Sequence, residues 1–219
     1  MSRYRFVLIL ASVIGIGGFA YHLVGAASQA AGEELFPKDG PRIPKGMVPI
    51  IWPDENEYSP EKAELGYLLF FDKRLSSDNT VSCASCHSPK QGFSNGDTVA
   101  TGIRGLKGGR NSPTVINRAY SGAQFWDGRA ANLEEQALGP IQNPIEMDNS
   151  LDNVAKTLNS IPGYRDRFKK AFGKDKIEIE DVGKAIATFE RTVLSGNSPY
   201  DRYKGGDENA LNPAQKAGM

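Results

Sequence analysis

The chain has 219 residues, in which 26 lysines and arginines balance 26 aspartates and glutamates, so no net charge favours a nucleic-acid partner. It contains only two cysteines and two histidines, and these residue types alone are not expected to complete a zinc site. The 24 glycines and 13 prolines predict long ordered loops.

The N-terminus carries an export signal. A short basic segment, residues 1–5, precedes the almost uniformly apolar run Phe6–Ala27. This pattern is typical of a secretory signal peptide or of an uncleaved membrane anchor, and residues 1–30 are interpreted as one of the two. His22 lies inside the run and is expected to be a tolerated polar residue of the leader, not a ligand.

Residues 31–58 are rich in proline and lack periodicity, which predicts an extended linker. A helix is predicted to begin after Ser59, with Ser59 as N-cap and Pro60 as its first residue. Leucines 65, 68 and 69 form the expected apolar stripe of this helix.

The segment Cys83-Ala84-Ser85-Cys86-His87 has the pattern C-x-x-C-H, the attachment signature of a c-type haem. Each cysteine can form a thioether bond to a haem vinyl group, and His87 can bind the iron. A thiol redox pair would be expected after a strand of a βαβ unit, and a disulfide across this spacing would be strained. The sequence therefore predicts one covalent haem c held by Cys83, Cys86 and His87, which in bacteria requires export.

Three later segments have helical signals. Asn132 is predicted to cap a short helix over Leu133–Leu138, and Ser150 to cap a second helix with an apolar face. A third helix is predicted over Glu180–Leu194, with Gly196 at its C-terminal cap. Residues 91–111 look like a glycine-rich loop, and no run of strands is evident. The predicted fold is mainly α, a cytochrome c-like haem domain over residues 59–205 with long ordered loops.

The C-terminal segment repeats the start of the first helix. Asn212-Pro213 precedes helix-forming residues in the way that Ser59-Pro60 does. One interpretation is a frayed tail with a chance match; the other, which the repeat favours, is that residues 206–219 open a second haem domain of which the rest is missing.

Several motifs occur in the order typical of one family. The region from Ser59 to Met219 resembles the N-terminal half of bacterial di-haem cytochrome c peroxidases, a family that also includes the methylamine-utilisation di-haem enzymes. The resemblance rests on the C-x-x-C-H segment and on the following stretches: Leu65 to Asp72, Arg110 to Thr114, Gln124 to Arg129, Glu135-Gln136 and Asn143 to Met147.

The resemblance implies roles for individual residues. The N-terminal haem is the peroxidatic one, and a second haem in the full-length protein takes electrons from a small donor protein, a cytochrome c or a cupredoxin. Trp126 matches a tryptophan on the electron path between the haems. Gln136 and Glu146 match polar groups of the peroxide pocket, and Asn111 matches a calcium ligand. The resemblance is compatible with a periplasmic homodimer.

The chemistry of peroxide cleavage supports a carboxylate in this role. The reaction needs a base that takes a proton from peroxide and an acid that returns it to the leaving oxygen. Glu146 is a candidate, because desolvation over a haem would raise the pKa of its carboxyl toward the useful range; a helix cap or surface acid is the plain alternative. Gln136 can orient a bound oxygen ligand or be merely exposed. Trp126 is expected to be buried.

Many members of the family carry a distal histidine in the loop that corresponds to residues 100–106, but this chain has none there. The resting iron site is therefore expected to be open, as in the methylamine-utilisation branch. The predicted function is reduction of hydrogen peroxide. The alternatives are oxidation of a partner protein, a mono-haem electron carrier with Met47 or Met147 as sixth ligand, and a haem sensor.

Overall fold

The computed structural model describes residues 34–219, so the expected leader lies outside the described residues. Residues 38–219 form one compact unit, and residues 34–37 belong to a separate one. None of the helices in the described range combines the length and the apolar character that a bilayer crossing demands.

The predicted mainly α fold is confirmed. In the described residues the regular structure is helical, and the only β pairing consists of isolated bridges. The α-helices are α1 Pro60–Phe70, α2 Cys83–Cys86, α3 Leu133–Gln142, α4 Leu151–Ser160, α5 Pro162–Phe172, α6 Ile179–Thr192, α7 Pro199–Lys204 and α8 Pro213–Ala217.

Side-chain caps begin the helices where the sequence predicted them. Ser59 accepts a hydrogen bond from the Lys62 backbone N–H, and Asn132 accepts one from the Glu135 N–H. Ser150 and Asn212 cap α4 and α8 in the same way. Each cap satisfies a backbone donor that the first helical turn leaves without a partner.

The core lies where α1 crosses α6. Leu65 and Leu69 of α1 and Ile186 of α6 are fully buried at this crossing. Gly66 makes the close approach feasible, because a Cβ at this position would overlap the Ala185 carbonyl oxygen. This packing fixes α6, which contributes a wall of the cavity described below.

Two helix boundaries differ from those predicted. Helix α6 ends at Thr192, and Gly196 is not its cap. The reason is that Asn117 binds the chain just after the helix, donating its backbone N–H to the Val193 carbonyl and accepting a hydrogen bond from the Ser195 N–H. Helix α3 continues beyond Leu138 to Gln142, because its apolar face stays buried as far as Ile141.

Three loops between α2 and α3 are each closed by a single antiparallel bridge. The bridges join Ser88 to Ser94, Thr101 to Lys107, and Gln124 to Ala130. These short closures order the glycine-rich segment without forming a sheet, and they place its side chains around one cavity.

Candidate functional site

A cavity of about 310 Å³ lies between α2, α3, α6 and the bridged loops. Its wall brings together residues from four separate parts of the chain. The chemically important ones are Cys86, His87, Arg129, Gln136, Glu146 and Glu190. Of the residues predicted to form the site, Trp126 and Asn111 also line this cavity.

Helix α2 is a single turn that presents the two cysteines. Ser82 and Ser85 form a capping box that begins the turn. Cysteines 83 and 86 are three residues apart and therefore lie on the same side of it. Burial raises the pKa of both thiols, and Cys86 donates to the Thr101 carbonyl oxygen at 3.5 Å. Neutral, half-buried thiols with a raised pKa are the opposite of what a redox-active C-x-x-C pair needs, which weakens that alternative.

The His87 ring is oriented by its own loop. Its Nδ1 lies 3.2 Å from the Phe93 carbonyl oxygen, an acceptor that requires a proton on Nδ1. The other nitrogen, Nε2, is then left with a lone pair. Burial lowers the pKa of His87, which favours the neutral imidazole. A neutral ring with a carbonyl-bound N–H is the form in which histidine binds metals.

These residues fit a covalently attached haem c. The two thiols and the Nε2 of His87 would hold it at one wall of a cavity that is otherwise rich in apolar and cationic side chains. No methionine and no second histidine is found among the described residues that line the cavity. Met147, a possible sixth ligand, is instead buried outside this lining.

Glu146 follows α3 in a tight turn and faces the cavity. Its Oε1 accepts a hydrogen bond of 2.8 Å from Asn143 Nδ2, while its Oε2 accepts none from a described residue. Burial raises the pKa of this carboxyl, and the Asn143 amide and the charge of Arg129 oppose that rise. A half-buried carboxyl with one free oxygen has the properties that a general acid/base needs.

Gln136 lies on the cavity side of α3, ten residues before Glu146. It is half-buried, and its side-chain amide makes no hydrogen bond to a described residue. An amide in this situation is free to orient an oxygen ligand in the cavity.

The prediction that Trp126 is buried is wrong, because 61% of this residue is exposed. Phe125, with a φ of 65°, turns its own ring into the cavity wall, and the next side chain, Trp126, lies at the rim. The indole N–H still has a partner, the Asn111 carbonyl oxygen at 2.7 Å. Trp126 therefore forms part of the rim of the cavity, in contact with solvent.

Asp127 holds two arginines at the same rim. It accepts hydrogen bonds from Arg110 and from Arg129, and these interactions lower the pKa of its carboxyl to about 2. Arg129 also stacks on the Phe125 ring, 3.5 Å from the ring centroid. Asp127 and Arg129 thus pair locally at the rim.

The structure gives little support to calcium at Asn111. The Asn111 amide nitrogen donates to Asn95 Oδ1 and to the Asp97 carbonyl oxygen. Across residues 34–219 there is no group of three or more histidines, cysteines, aspartates or glutamates that could hold a metal ion. Calcium takes six to eight oxygen ligands, including backbone carbonyls and waters, of which Asn111 would supply at most its side-chain oxygen.

The loop over residues 100–106 packs directly against the Glu146 turn. The Ile103 N–H donates to the Glu146 carbonyl oxygen at 2.8 Å, and Arg104 pairs with Asp148 at 2.6 Å. Gly102 permits this contact, because a Cβ there would overlap the Ile145 carbonyl oxygen. The loop over residues 100–106 therefore braces the backbone of the candidate acid/base.

Glu190 is a cavity residue that the sequence analysis did not identify. It lies on α6 and is only 6% exposed, and its Oε2 has no hydrogen-bond partner. Burial raises the pKa of Glu190 to about 8, although Arg191 and Arg118 oppose the rise. A signal exists in the sequence, since Glu190 continues the four-residue spacing of the buried Val182 and Ile186.

Relative to the unmodified protein, the Glu190→Gln variant is expected to gain stability as the pH rises from 4.5 to 8. The folded-state pKa of about 8 lies above the ordinary value of 4.5, so unfolding releases a proton between these two pH values. The free energy of unfolding of the unmodified protein therefore falls across this range, by up to about 1.4 kcal/mol per pH unit, and the variant lacks this fall.

Urea unfolding of the haem-loaded proteins between pH 4.5 and 8 measures the effect. Glu208→Gln, at an exposed position, is the matched control. If the Glu190→Gln and Glu208→Gln proteins show the same dependence on pH, Glu190 does not carry a raised pKa.

Comparison with known proteins shows which family this chain resembles in sequence. The family model described as di-haem cytochrome c peroxidase matches residues 60–209. The cytochrome c551 peroxidase of Nitrosomonas europaea is 46% identical over 158 residues, which are 72% of this chain and 47% of that protein. The methylamine utilization protein MauG of Methylorubrum extorquens is 46% identical over 168 residues, 76% of this chain and 48% of that protein. The chain thus spans about half the length of these curated relatives.

Solved structures show the same fold. A MauG-like protein associated with microbial copper homeostasis superposes with a TM-score of 0.72 at 36% identity, covering 80% of this chain and 52% of that one. The di-haem peroxidase BthA from Burkholderia thailandensis gives a TM-score of 0.60 at 28% identity, covering 72% and 45%. The family model, the relatives and the shared fold agree, and the chain belongs to the di-haem cytochrome c peroxidase family.

Proposed function

We propose that this chain forms the peroxide-reducing haem domain of an exported peroxidase. The observation that carries the proposal is the meeting of Cys86, His87, Gln136 and Glu146 in the wall of one cavity. The family implies haem c, and one haem attached at Cys83 and Cys86 with His87 as iron ligand fits the geometry of α2.

Glu146 and Gln136 would supply the proton chemistry and the orientation of the ligand. A bound haem iron would provide electrons to peroxide and a position for one of its oxygens. Glu146, through its free Oε2, would take a proton from the inner oxygen of hydrogen peroxide and return it to the leaving oxygen. Gln136 would orient the bound oxygen by donating a hydrogen bond. Two electrons and two further protons complete the reduction to two molecules of water.

Electrons would enter from outside the described residues. Trp126 is exposed at the cavity rim, where it can contact a neighbouring redox group, such as the second haem expected in the full-length protein. A small donor protein, a cytochrome c or a cupredoxin, would supply these electrons in the periplasm. A relative is named as a cytochrome c551 peroxidase, which is consistent with such a donor.

A second candidate function is oxidation of a partner protein at the expense of peroxide. Relatives named MauG match this chain as well as the peroxidases do, and the loop over residues 100–106 lacks a histidine. By contrast, a mono-haem carrier is disfavoured because none of the described cavity-lining residues is a methionine. A haem sensor would share the cavity but would not turn over peroxide.

Other expectations remain proposals. Asn111 would contribute one oxygen to a calcium site only if further ligands come from elsewhere, and no step above depends on calcium. The proposal also includes export through residues 1–30, either as a cleaved signal peptide or as a retained anchor. It further includes a homodimeric state.

Donor-dependent turnover tests the proposed function. The full-length haem-loaded protein is mixed with hydrogen peroxide and a reduced small cytochrome c or cupredoxin. Oxidation of two donor molecules per peroxide consumed is expected, because a one-electron donor must act twice. Peroxide-dependent oxidation of a co-purifying protein, with no donor oxidation, would favour the second candidate. Absence of both reactions would contradict the proposal and leave the sensor.

A further inference from the structure

Asn143 occupies the joint between the two polar residues of the peroxide pocket. It follows α3, which carries Gln136, and it starts the turn that delivers Glu146. Its backbone carbonyl accepts hydrogen bonds from the N–H groups of Glu146, Met147 and Asp148, at 3.0, 3.2 and 2.9 Å. One residue thus closes the whole turn.

Both ends of the Asn143 side-chain amide have partners. Oδ1 accepts from the Ile145 N–H at 3.0 Å, and Nδ2 donates to Glu146 Oε1 at 2.8 Å. The first bond fixes the amide relative to the turn, and the second fixes the carboxyl relative to the amide. Oε2 of Glu146 is therefore the carboxyl oxygen left for the cavity.

The backbone of Glu146 is held independently from the other side. The Ile103 N–H donates to the Glu146 carbonyl oxygen, and Gly102 packs against the backbone of Ile145. Ile103 is fully buried, which anchors this loop. With the main chain fixed, the remaining freedom of Glu146 lies in its side-chain torsions, and the hydrogen bond from the Asn143 amide restricts them.

We propose that Asn143 is the positioning residue of the site, selecting which Glu146 oxygen faces the bound ligand and stabilising the ionised carboxylate. The inference rests on the proposed function in taking the cavity as the peroxide site. The contact between Asn143 and Glu146 does not depend on that function. An N–H donor favours the charged form of a carboxyl, so loss of the donor favours the protonated form.

The sharpest variant is Asn143→Asp, which keeps an acceptor for the Ile145 N–H and removes the donor to Glu146. Asn143→Ala removes the donor without adding a charge. Asn153→Asp is the matched control, because Asn153 makes the same kind of amide contact, to Asn149 Oδ1 at 2.8 Å, on α4. Asn153 is not part of the cavity lining.

The readout is the infrared carboxylate band of Glu146 in the ferric haem-loaded protein, identified by its loss in Glu146→Gln and followed against pH. In both Asn143 variants the ionisation midpoint of Glu146 should move to higher pH. In Asn153→Asp this midpoint should not move. The rate of peroxide reaction at acidic pH should fall roughly tenfold, as expected for loss of one hydrogen bond to a charged group.

The outcomes separate the inference from the proposed function. A shifted ionisation midpoint with an unchanged peroxide rate would support the role of Asn143 and contradict the role of Glu146 as acid/base. An ionisation midpoint that is unchanged in both Asn143 variants would overturn the inference. Failure of both Asn143 variants to retain haem, with a normal Asn153→Asp protein, would also overturn it by showing that Asn143 holds the fold of the turn.

Discussion

Glu146→Gln is expected to slow the reaction of the haem-loaded protein with hydrogen peroxide by about 10²–10⁴-fold, the usual cost of losing a general acid/base. The physical reason is that glutamine cannot take the peroxide proton at the position of Oε2 or return it to the leaving oxygen. Glutamine has nearly the same shape as glutamate, and its oxygen can still accept from Asn143 Nδ2. Haem content and the resting spectrum should therefore be nearly unchanged.

Stopped-flow spectroscopy of the ferric protein after mixing with peroxide measures this rate. Glu135→Gln is the control, because Glu135 lies on α3, the helix before the Glu146 turn, and accepts from the Ala131 N–H outside the cavity lining. Equal rates in the unmodified protein and in Glu146→Gln would show that Glu146 has only a structural role.

The double substitution Cys83→Ala/Cys86→Ala is expected to abolish covalent haem attachment. Both thioether bonds depend on these sulfurs, and α2 presents them from one helical turn. Mass spectrometry of periplasmic protein should show one added haem per chain in the unmodified protein and none in the variant. Ser85→Ala keeps both thiols, loses part of the capping box, and should retain the haem.

The host must have working haem-attachment machinery for this experiment, which a known c-type cytochrome expressed in parallel demonstrates. An unmodified mass for the natural sequence in such a host would remove the haem from the account, and with it the proposed peroxide chemistry.

Local signals in the sequence predicted most helix starts. Ser59, Asn132, Ser150 and Asn212 all cap helices, because a short polar side chain before a run of helix formers satisfies free backbone donors whatever the tertiary context. The C-x-x-C-H pattern likewise indicates its chemistry by composition and spacing alone.

Helix ends and side-chain exposure depended on contacts between distant residues. Asn117, 78 residues before Ser195, sets the chain path just after α6, and no pattern near Gly196 reveals this. Helix α5 escapes prediction because its Pro162-Gly163 start resembles a turn; its end at Gly173, with a φ of 71°, is a cap signal in hindsight. The exposure of Trp126 follows from the inward turn of Phe125.

The candidate site could be predicted where the chemistry demanded a particular residue type. Glu146 and Gln136 were identified by resemblance and meet in the cavity. Asn143 and Gly102 could not be recognised as supports, because their role lies in a contact with Glu146 or its neighbour that only the folded chain creates. Glu190 was missed because a carboxyl on an apolar helix face is ordinarily taken as a core exception.

The resting ferric protein offers the most direct test of the central claim, that a haem held by His87 would keep a coordination position free for peroxide. The electronic spectrum of the haem-loaded chain, recorded before any reduction, should be high-spin, and it should change at once when peroxide is added. This follows because no described residue in the cavity lining other than His87 is a histidine or methionine. A low-spin resting spectrum that reacts with peroxide only after reduction would contradict the account.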